Sequence, residues 1–275
     1  MINQFRPAFR RLRDTLQDLR PPRDTGHGFR FVGSQKRFRG SADELGTIEL
    51  LRLLAPRLQG FLNVGANAGF YCLLAESLGL DCLAFEPEPR AFRLLQRNLA
   101  LNQAACVPIP VALSSQRGRA SFFGTGTAGS LLAGISGTPS WDRQTVTTLP
   151  LDTLFEPGGV NPQPTNSLWL LDCEGAEPEV LSGAQRTLAA VHPLLTLEWQ
   201  PGRHSDAWAR CIEQLLGIGY THLLACSSLV GSGPIKVRIL AAEALDDQVF
   251  LDNVLVMALE HHRAFLDLLP PLPPL

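Results

Sequence analysis

Short apolar runs alternate with amphipathic stretches along this chain from about Ser41 onward. Seven apolar runs have the length and composition of buried strands: 61–65, 82–86, 106–111, 168–172, 194–199, 220–226 and 253–259. Five stretches show the 3.6-residue period of helices: 42–58, 68–78, 89–102, 177–190 and 205–217. This order predicts βαβ units, and therefore a doubly wound α/β domain with a mostly parallel, seven-stranded sheet over residues 41–260.

The region 112–150 departs from this alternation. Two segments, Arg119–Phe123 and Thr145–Pro150, have the pattern of strands, and the glycine-rich stretch 124–142 separates them. The backbone groups of such a stretch need water or a ligand as partners. We therefore expect this loop, which contains Ser130 and Trp141, to cover the acceptor site.

The two ends of the chain have patterns of their own. Residues 1–40 predict a basic arm, which consists of a helix and, from residue 21, a polar connector. The helix carries an apolar stripe of Phe5, Phe9, Leu12, Leu16 and Leu19. The helix could dock on its own domain, pair with a second subunit in a homodimer, or rest on an anionic surface. Residues 261–275 predict a Pro-rich tail, whose final segment, PPLPPL, is expected to be extended.

Composition narrows the choice of partner and compartment. Residues 1–40 contain ten basic and three acidic residues, a net charge of +7, whereas the remainder contains 14 basic and 23 acidic residues, a net charge of −9. Because the net charge of the whole chain is only −2, the sequence gives no reason to expect nucleic acid as a partner. Neither a signal peptide nor an apolar run of about twenty residues is visible. The six cysteines contain no C-x-x-C pair and no nearby histidine, which favours buried free thiols in a cytoplasmic protein without a metal.

The segment FLNVGANAGFY predicts a nucleoside-binding turn. Small residues after the strand that ends at Val64 let a ligand approach the backbone, and Glu86 ends the next strand 21 residues after Gly65, where it can accept ribose hydroxyls. A dinucleotide fingerprint needs a middle glycine, and this chain has Asn67 there. The absence of that glycine disfavours NAD and suits S-adenosylmethionine, which has no phosphate.

Over residues 49–259 the chain resembles the FkbM-type methyltransferases. The matching segments, in order, are NVGANAGFY, AFEPEPRAFRLLQRNLALN, VALS, GSLL, TLPLDTL, LLDCEGAEPEVLSGA, LTLEW and DNVLVMA. Enzymes of this family are thought to methylate hydroxyl oxygens of sugars, glycolipids or secondary metabolites. The resemblance therefore implies an S-adenosylmethionine-dependent O-methyltransferase with a carbohydrate or small-molecule acceptor.

The resemblance also implies which residues bind the cofactor. Gly65, Ala66 and Gly69 are expected beside its methionine part, and Glu86 at the ribose. The complete expected set is Asn63, Gly65, Ala66, Asn67, Gly69, Glu86, Pro87, Ala112, Leu113 and Asp172. The family usually has Asp where this chain has Asn63, and loss of that charge is expected to lower cofactor affinity.

Three residues are candidates for the general base that removes the proton of an acceptor hydroxyl: Asp172, Glu198 and His204. Asp172 and Glu198 end strands at the edge where open α/β sheets bind ligands. Asp172, Glu174 and Glu177 could hold a divalent cation, but no further ligand is evident, so no metal is assigned. Glu177 is expected to act at the start of the following helix through the helix dipole.

Two other functions remain open at this point. An NAD-linked oxidoreductase would use the same fold, although the missing middle glycine argues against it. A catalytically degenerate member of the family could instead bind a partner through its basic arm, an idea that Asn63 favours.

Overall fold

The structure is a computed structural model of the 275-residue chain. It describes residues 20–33, 42–124, 129–131, 143–155, 166–199, 205–231, 233–240 and 253–271. The predicted N-terminal helix, Trp141 and His204 lie outside these residues.

The main sheet joins the runs of apolar residues that the sequence places at regular intervals. Numbered in chain order, its strands within the described residues lie in the spatial sequence β12 (Val237–Ile239), β11 (His222–Ala225), β13 (Asn253–Met257), β10 (Leu194–Glu198), β9 (Ser167–Leu171), β3 (Gly60–Val64), β4 (Asp81–Phe85) and β5 (Val107–Ile109). The strands from β10 to β5 pair in parallel, whereas β13 runs antiparallel to both of its neighbours. Every residue of β3 and of β9 is buried, as expected for central strands covered on both faces.

Helices cover both faces of this sheet, so the predicted doubly wound α/β fold is confirmed. The helices are α1 (Ala42–Leu54), α2 (Phe70–Ser77), α3 (Pro89–Leu101), α4 (Glu177–Ser182), α5 (Gln185–Val191), α6 (Ser205–Gly217) and α7 (Leu259–Leu266). Two apolar cores result: the α2-side core, which includes side chains of α1, α2, α3 and α7, and the α6-side core, which includes side chains of α4, α5 and α6.

A second, smaller sheet forms from the region that breaks the alternation. It consists of β6 (Ala112–Leu113), β7 (Gly118–Phe123) and β8 (Arg143–Leu149). The predicted strands in this region are β7 and β8, which pair antiparallel, while β6 runs parallel to β8. Phe122 of β7 is buried and packs with Ala112 and Val146.

Two departures from the predicted elements have local causes. The sheet has one strand more than predicted. The additional strand, β12, has no apolar run that would predict it, since it is a three-residue edge strand with Arg238 at its centre. The helix expected over 177–190 is divided at Gly183, where an added Cβ would lie 2.1 Å from the carbonyl oxygen of Ser114.

The connector predicted as polar contains a hairpin of β1 (Arg23–Asp24) and β2 (Arg30–Phe31). It buries three apolar side chains against the α2-side core: Phe29, Phe31 and Val32. Asn98 of α3 holds it in place, since its Oδ1 accepts from Val32 N at 2.9 Å and its Nδ2 donates to Val32 O at 2.9 Å. The connector that the sequence predicts as polar therefore includes a hairpin with three buried apolar side chains, which the sequence pattern did not indicate.

Helix α7 runs past residue 261, where the sequence predicts the start of the Pro-rich tail. Phe265 and Leu269 bury their side chains in the α2-side core, so the described part of this segment, as far as residue 271, packs on the domain. None of the helices among the described residues has the length and apolar character needed to span a membrane.

Candidate active site

An open cavity of about 570 Å³ lies at the carboxyl ends of β3, β4 and β9. Its wall is formed by Val64, Gly65, Asn67, Phe85, Glu86, Pro87, Val111, Ala112, Leu113, Phe122, Gly129, Leu131, Asp172, Cys173, Glu174 and Ala176.

The turn from β3 to α2 is held between its two neighbouring strands. Gly65 adopts φ +79°, and an added Cβ would lie 2.0 Å from the carbonyl oxygen of Asp172. The backbone N–H groups of Gly65 and Ala66 both donate to Phe85 O at 2.9 Å. Only glycine satisfies both the positive φ and this close approach, so the bend that the sequence predicts is a steric requirement.

The Glu86 side chain lies against this turn. Its Oε2 accepts from Asn67 N at 2.7 Å, and its Oε1 accepts from Glu88 N at 2.7 Å. The residue is only 4% exposed, yet it lines the cavity. These two backbone bonds fix the orientation of the carboxylate at the cavity wall.

The loop after β9 forms the opposite wall. Asp172 N donates to Val64 O at 3.0 Å, which ties the start of the loop to the end of β3. Glu174 adopts φ +54° and Gly175 φ +98°. A non-glycine residue in this conformation stores strain, which is often found at functional sites.

Glu177, the first residue of α4, lies fully buried behind this loop. Burial raises the pKa of its carboxyl group to about 8, and the charges of Glu198 and Asp172 add to the effect. Its Oε1 accepts from Cys173 N at 2.8 Å. The raised pKa favours the protonated form of Glu177, and its hydrogen bond to Cys173 N fixes the loop at the start of α4.

The charge on the cavity wall has one sign. Among the described residues that line it, Glu86, Asp172 and Glu174 are acidic and none is Lys, Arg or His. Burial raises the pKa of the Cys173 thiol well above its usual range, and the carboxylates of Glu177 and Asp172 raise it further, so this thiol stays neutral. Such a wall favours a ligand with positive charge and disfavours a pyrophosphate.

Apolar residues of the small sheet and of the segment 129–131 line one side of the cavity. Phe122 and Leu131 contribute side chains, and Gly129 lies so close to the Phe122 ring that an added Cβ would be 2.3 Å from Cε1. Ser130 is fully buried, pairs its backbone with Phe123, and donates from Oγ to Glu174 O at 2.9 Å. This part of the predicted covering loop is therefore anchored at the cavity.

Comparison with known proteins agrees with this geometry. The family described as the methyltransferase FkbM domain matches residues 63–225, more than half of the chain. This chain belongs to the FkbM methyltransferase family. The match begins within β3 and ends with β11, so it includes the glycine turn, Glu86 and the loop after β9.

Two individual proteins are also similar to this FkbM methyltransferase. The hexuronic acid methyltransferase AglP of Haloferax volcanii is 30% identical over 172 residues, which cover 61% of this chain and 69% of AglP. The crystal structure of an FkbM methyltransferase from Methylobacillus flagellatus has a TM-score of 0.42 at 15% identity, and the alignment covers 82% of this chain and 63% of that one. The chain therefore spans less than two thirds of that structure.

The cavity of this FkbM methyltransferase brings together most of the residues that the sequence predicts for the cofactor. Those on its wall are Gly65, Asn67, Glu86, Pro87, Ala112, Leu113 and Asp172. Their individual roles in binding remain predictions.

Three other predicted cofactor residues are not on the wall. Asn63 points to the α2-side core, where its Nδ2 lies 3.4 Å from Cys72 Sγ. Ala66 is buried in the same core. Gly69 adopts φ +86° at the start of α2, a conformation that favours glycine, and an added Cβ would displace Leu95 Cδ1, which would lie 2.5 Å away.

Of the candidate bases in this FkbM methyltransferase, Asp172 lines the cavity. Glu198 ends β10 away from the wall, and its charge acts on Glu177 instead. Sequence reasoning overlooked the apolar contributions of Phe122 and Leu131 and the wall position of Cys173. The glycine beside Glu174 was the available signal for the tight loop after β9, but no local pattern marked Phe122.

Proposed function

We propose that this protein transfers a methyl group from S-adenosylmethionine to a hydroxyl group of a carbohydrate or small metabolite. The observation that supports the cofactor is the combination of a clamped glycine turn with an acidic wall that lacks Lys, Arg and His among its described residues. S-adenosylmethionine carries a positive sulfonium and no phosphate, and when bound it supplies an electrophilic methyl group. NAD carries a pyrophosphate, which the same carboxylates would repel.

The cavity residues fit the parts of this cofactor. The Glu86 carboxylate, oriented by Asn67 N and Glu88 N, is suited to accept two ribose hydroxyls. Val111, Ala112 and Leu113 offer an apolar surface for adenine. The carboxylate of Asp172, on the opposite wall, would favour positive charge between the two sides.

The acceptor is proposed from chemistry and from one relative. AglP is a hexuronic acid methyltransferase, and its similarity favours an oxygen acceptor on a sugar acid or a related molecule. Methyl transfer to a hydroxyl needs alignment of two reactants, which can contribute a large part of the rate enhancement. Asp172 is the proposed group that accepts the hydroxyl proton, because it lies on the cavity wall. Phe122 and Leu131 would exclude water from the reacting groups.

The cofactor proposal is tested by calorimetry with S-adenosylhomocysteine, comparing the native chain with Glu86→Ala. Loss of two hydrogen bonds to a charged group, about 1.5–3 kcal/mol each, should weaken the binding of S-adenosylhomocysteine by roughly 100-fold or more. Glu213→Ala, a change at an exposed carboxylate on α6, is the matched control and should bind as the native chain does.

Two results would contradict the proposal: no binding to the native chain, or equal affinity in Glu86→Ala. Thermal unfolding of each variant checks that the turn remains folded, since the Glu86 carboxylate also accepts a hydrogen bond from the turn at Asn67 N. The acceptor is tested separately with labelled S-adenosylmethionine and a panel of uronic acids, neutral sugars and small alcohols. Transfer to amines only would reject the hydroxyl acceptor while leaving the cofactor assignment intact.

A further inference from the structure

Three of the six cysteines meet in the α2-side core. Cys72 lies in α2, Cys82 in β4, and Cys106 immediately before β5. Their sulfur atoms all lie within 4.8 Å of one another, and those of Cys82 and Cys106 are 3.1 Å apart. All three are free thiols in the α2-side core.

The spacing of these sulfur atoms is close to that of a metal–thiolate site. Zinc–sulfur bonds are about 2.3 Å long, and tetrahedral angles then place two sulfur ligands about 3.8 Å apart. The observed separations, from 3.1 Å to at most 4.8 Å, lie on both sides of that value. A small rearrangement of side chains would therefore place one cation in contact with three sulfur atoms.

Asn63 offers a fourth ligand atom beside this cluster. Its Nδ2 is 3.4 Å from Cys72 Sγ, and its buried Oδ1 accepts no hydrogen bond from any described residue. An unsatisfied buried oxygen is costly. Rotation of the amide by about 180° exchanges the oxygen and the nitrogen, which brings the oxygen to the side of Cys72.

Charge decides which cation suits the pocket. One divalent cation with three thiolates and one amide oxygen carries a net charge of −1, so the cation offsets two of the three thiolate charges that the apolar core would otherwise have to accommodate. Sulfur ligands select soft cations over Mg²⁺ or Ca²⁺.

We propose that Cys72, Cys82 and Cys106, with Asn63 as the oxygen ligand, bind one divalent cation of the zinc and cadmium class. Binding deprotonates the three thiols and releases their protons to solvent. The path to the site is the sheet edge at β5, where Cys82 is 9% and Cys106 is 6% exposed. This site is independent of the proposed methyl transfer.

The test uses the reduced, chelator-treated full chain titrated with Cd²⁺ while sulfur-to-metal absorbance in the ultraviolet is followed. We expect saturation at one equivalent, an increase in the melting temperature, and protection of three thiols from a thiol reagent. Cys72→Ser and Cys106→Ser should each weaken binding at least tenfold. Cys211→Ser, which changes a buried cysteine in the α6-side core, is the matched control and should leave the titration unchanged.

Either of two results would overturn the proposal. The first is the absence of a stoichiometric charge-transfer band when the native chain is titrated with Cd²⁺. This measurement does not depend on the folding of any variant. The second is a band of equal intensity and affinity in the Cys72→Ser and Cys106→Ser chains, since other cysteines would then hold the metal. Circular dichroism of the metal-free variants confirms that they are folded before the comparison is made.

Discussion

Replacing Glu177 with glutamine should change how the stability of the protein depends on pH. The carboxyl group is fully buried, and its pKa is raised to about 8 from an ordinary value of 4.5. The folded state therefore keeps a proton that the unfolded state releases. At about 1.4 kcal/mol per pKa unit, the contribution amounts to at most about 5 kcal/mol.

The sign follows from the raised pKa. Below about pH 4.5 both states are protonated and the contribution of Glu177 is fully present; it is lost progressively as the pH rises to about 8. Glu177→Gln keeps an oxygen that can accept from Cys173 N and has no proton to lose. The free energy of unfolding of the native chain should therefore fall relative to the variant by about 3–4 kcal/mol between about pH 5 and pH 8.

Urea unfolding at a series of pH values, followed by circular dichroism, measures this difference directly. Glu179→Gln makes the same chemical change at an exposed position of the same helix, and its pH profile should follow that of the native chain. Parallel profiles for the native chain and Glu177→Gln would refute the reasoning, because they would mean that Glu177 ionises alike in both states.

Two further substitutions test the packing around the site. Gly65→Ala should cost about 3 kcal/mol or more in urea unfolding and weaken S-adenosylhomocysteine binding more than roughly tenfold in calorimetry, since its Cβ meets Asp172 O at 2.0 Å. Gly79→Ala, at φ +84° with no atom within 4 Å of the added Cβ, should cost only about 1–2 kcal/mol and leave binding unchanged. Equal effects of the two substitutions would contradict this reasoning. Asn98→Ala should cost about 2–4 kcal/mol in urea unfolding because it removes buried hydrogen bonds. Asn102 is partly exposed, so Asn102→Ala should cost under about 1 kcal/mol. Comparable losses would show that the burial of Asn98 is unimportant.

The parts of the fold that sequence reasoning predicts are those in which one local pattern dictates one structure. Strands β3 and β9 are continuous apolar runs because both of their faces are covered. Gly65 is visible in the sequence because a strand followed by a sharp bend needs a residue with positive φ. The carboxylate at Glu86 follows from the distance between two parallel strand ends.

The remaining features depend on long-range packing. The thiol cluster joins residues 10 and 24 positions apart, and no short motif encodes it. Phe122 reaches the cavity through a sheet whose loop has no simple period. The placement of Asn63 could have been derived: Val64 faces the cavity, and adjacent residues of a strand point to opposite faces, so Asn63 must face the other core.

The docked hairpin of β1 and β2 determines how experiments on the basic arm should be designed. A truncation that removes residues 1–40 also removes Phe29, Phe31 and Val32 and uncovers the aromatic ring of Phe70, which they partly shield. Any loss of activity in such a shortened protein would mix damage to the interior with loss of the arm. Cutting before Arg20 keeps the hairpin, so the contribution of the arm alone can be measured.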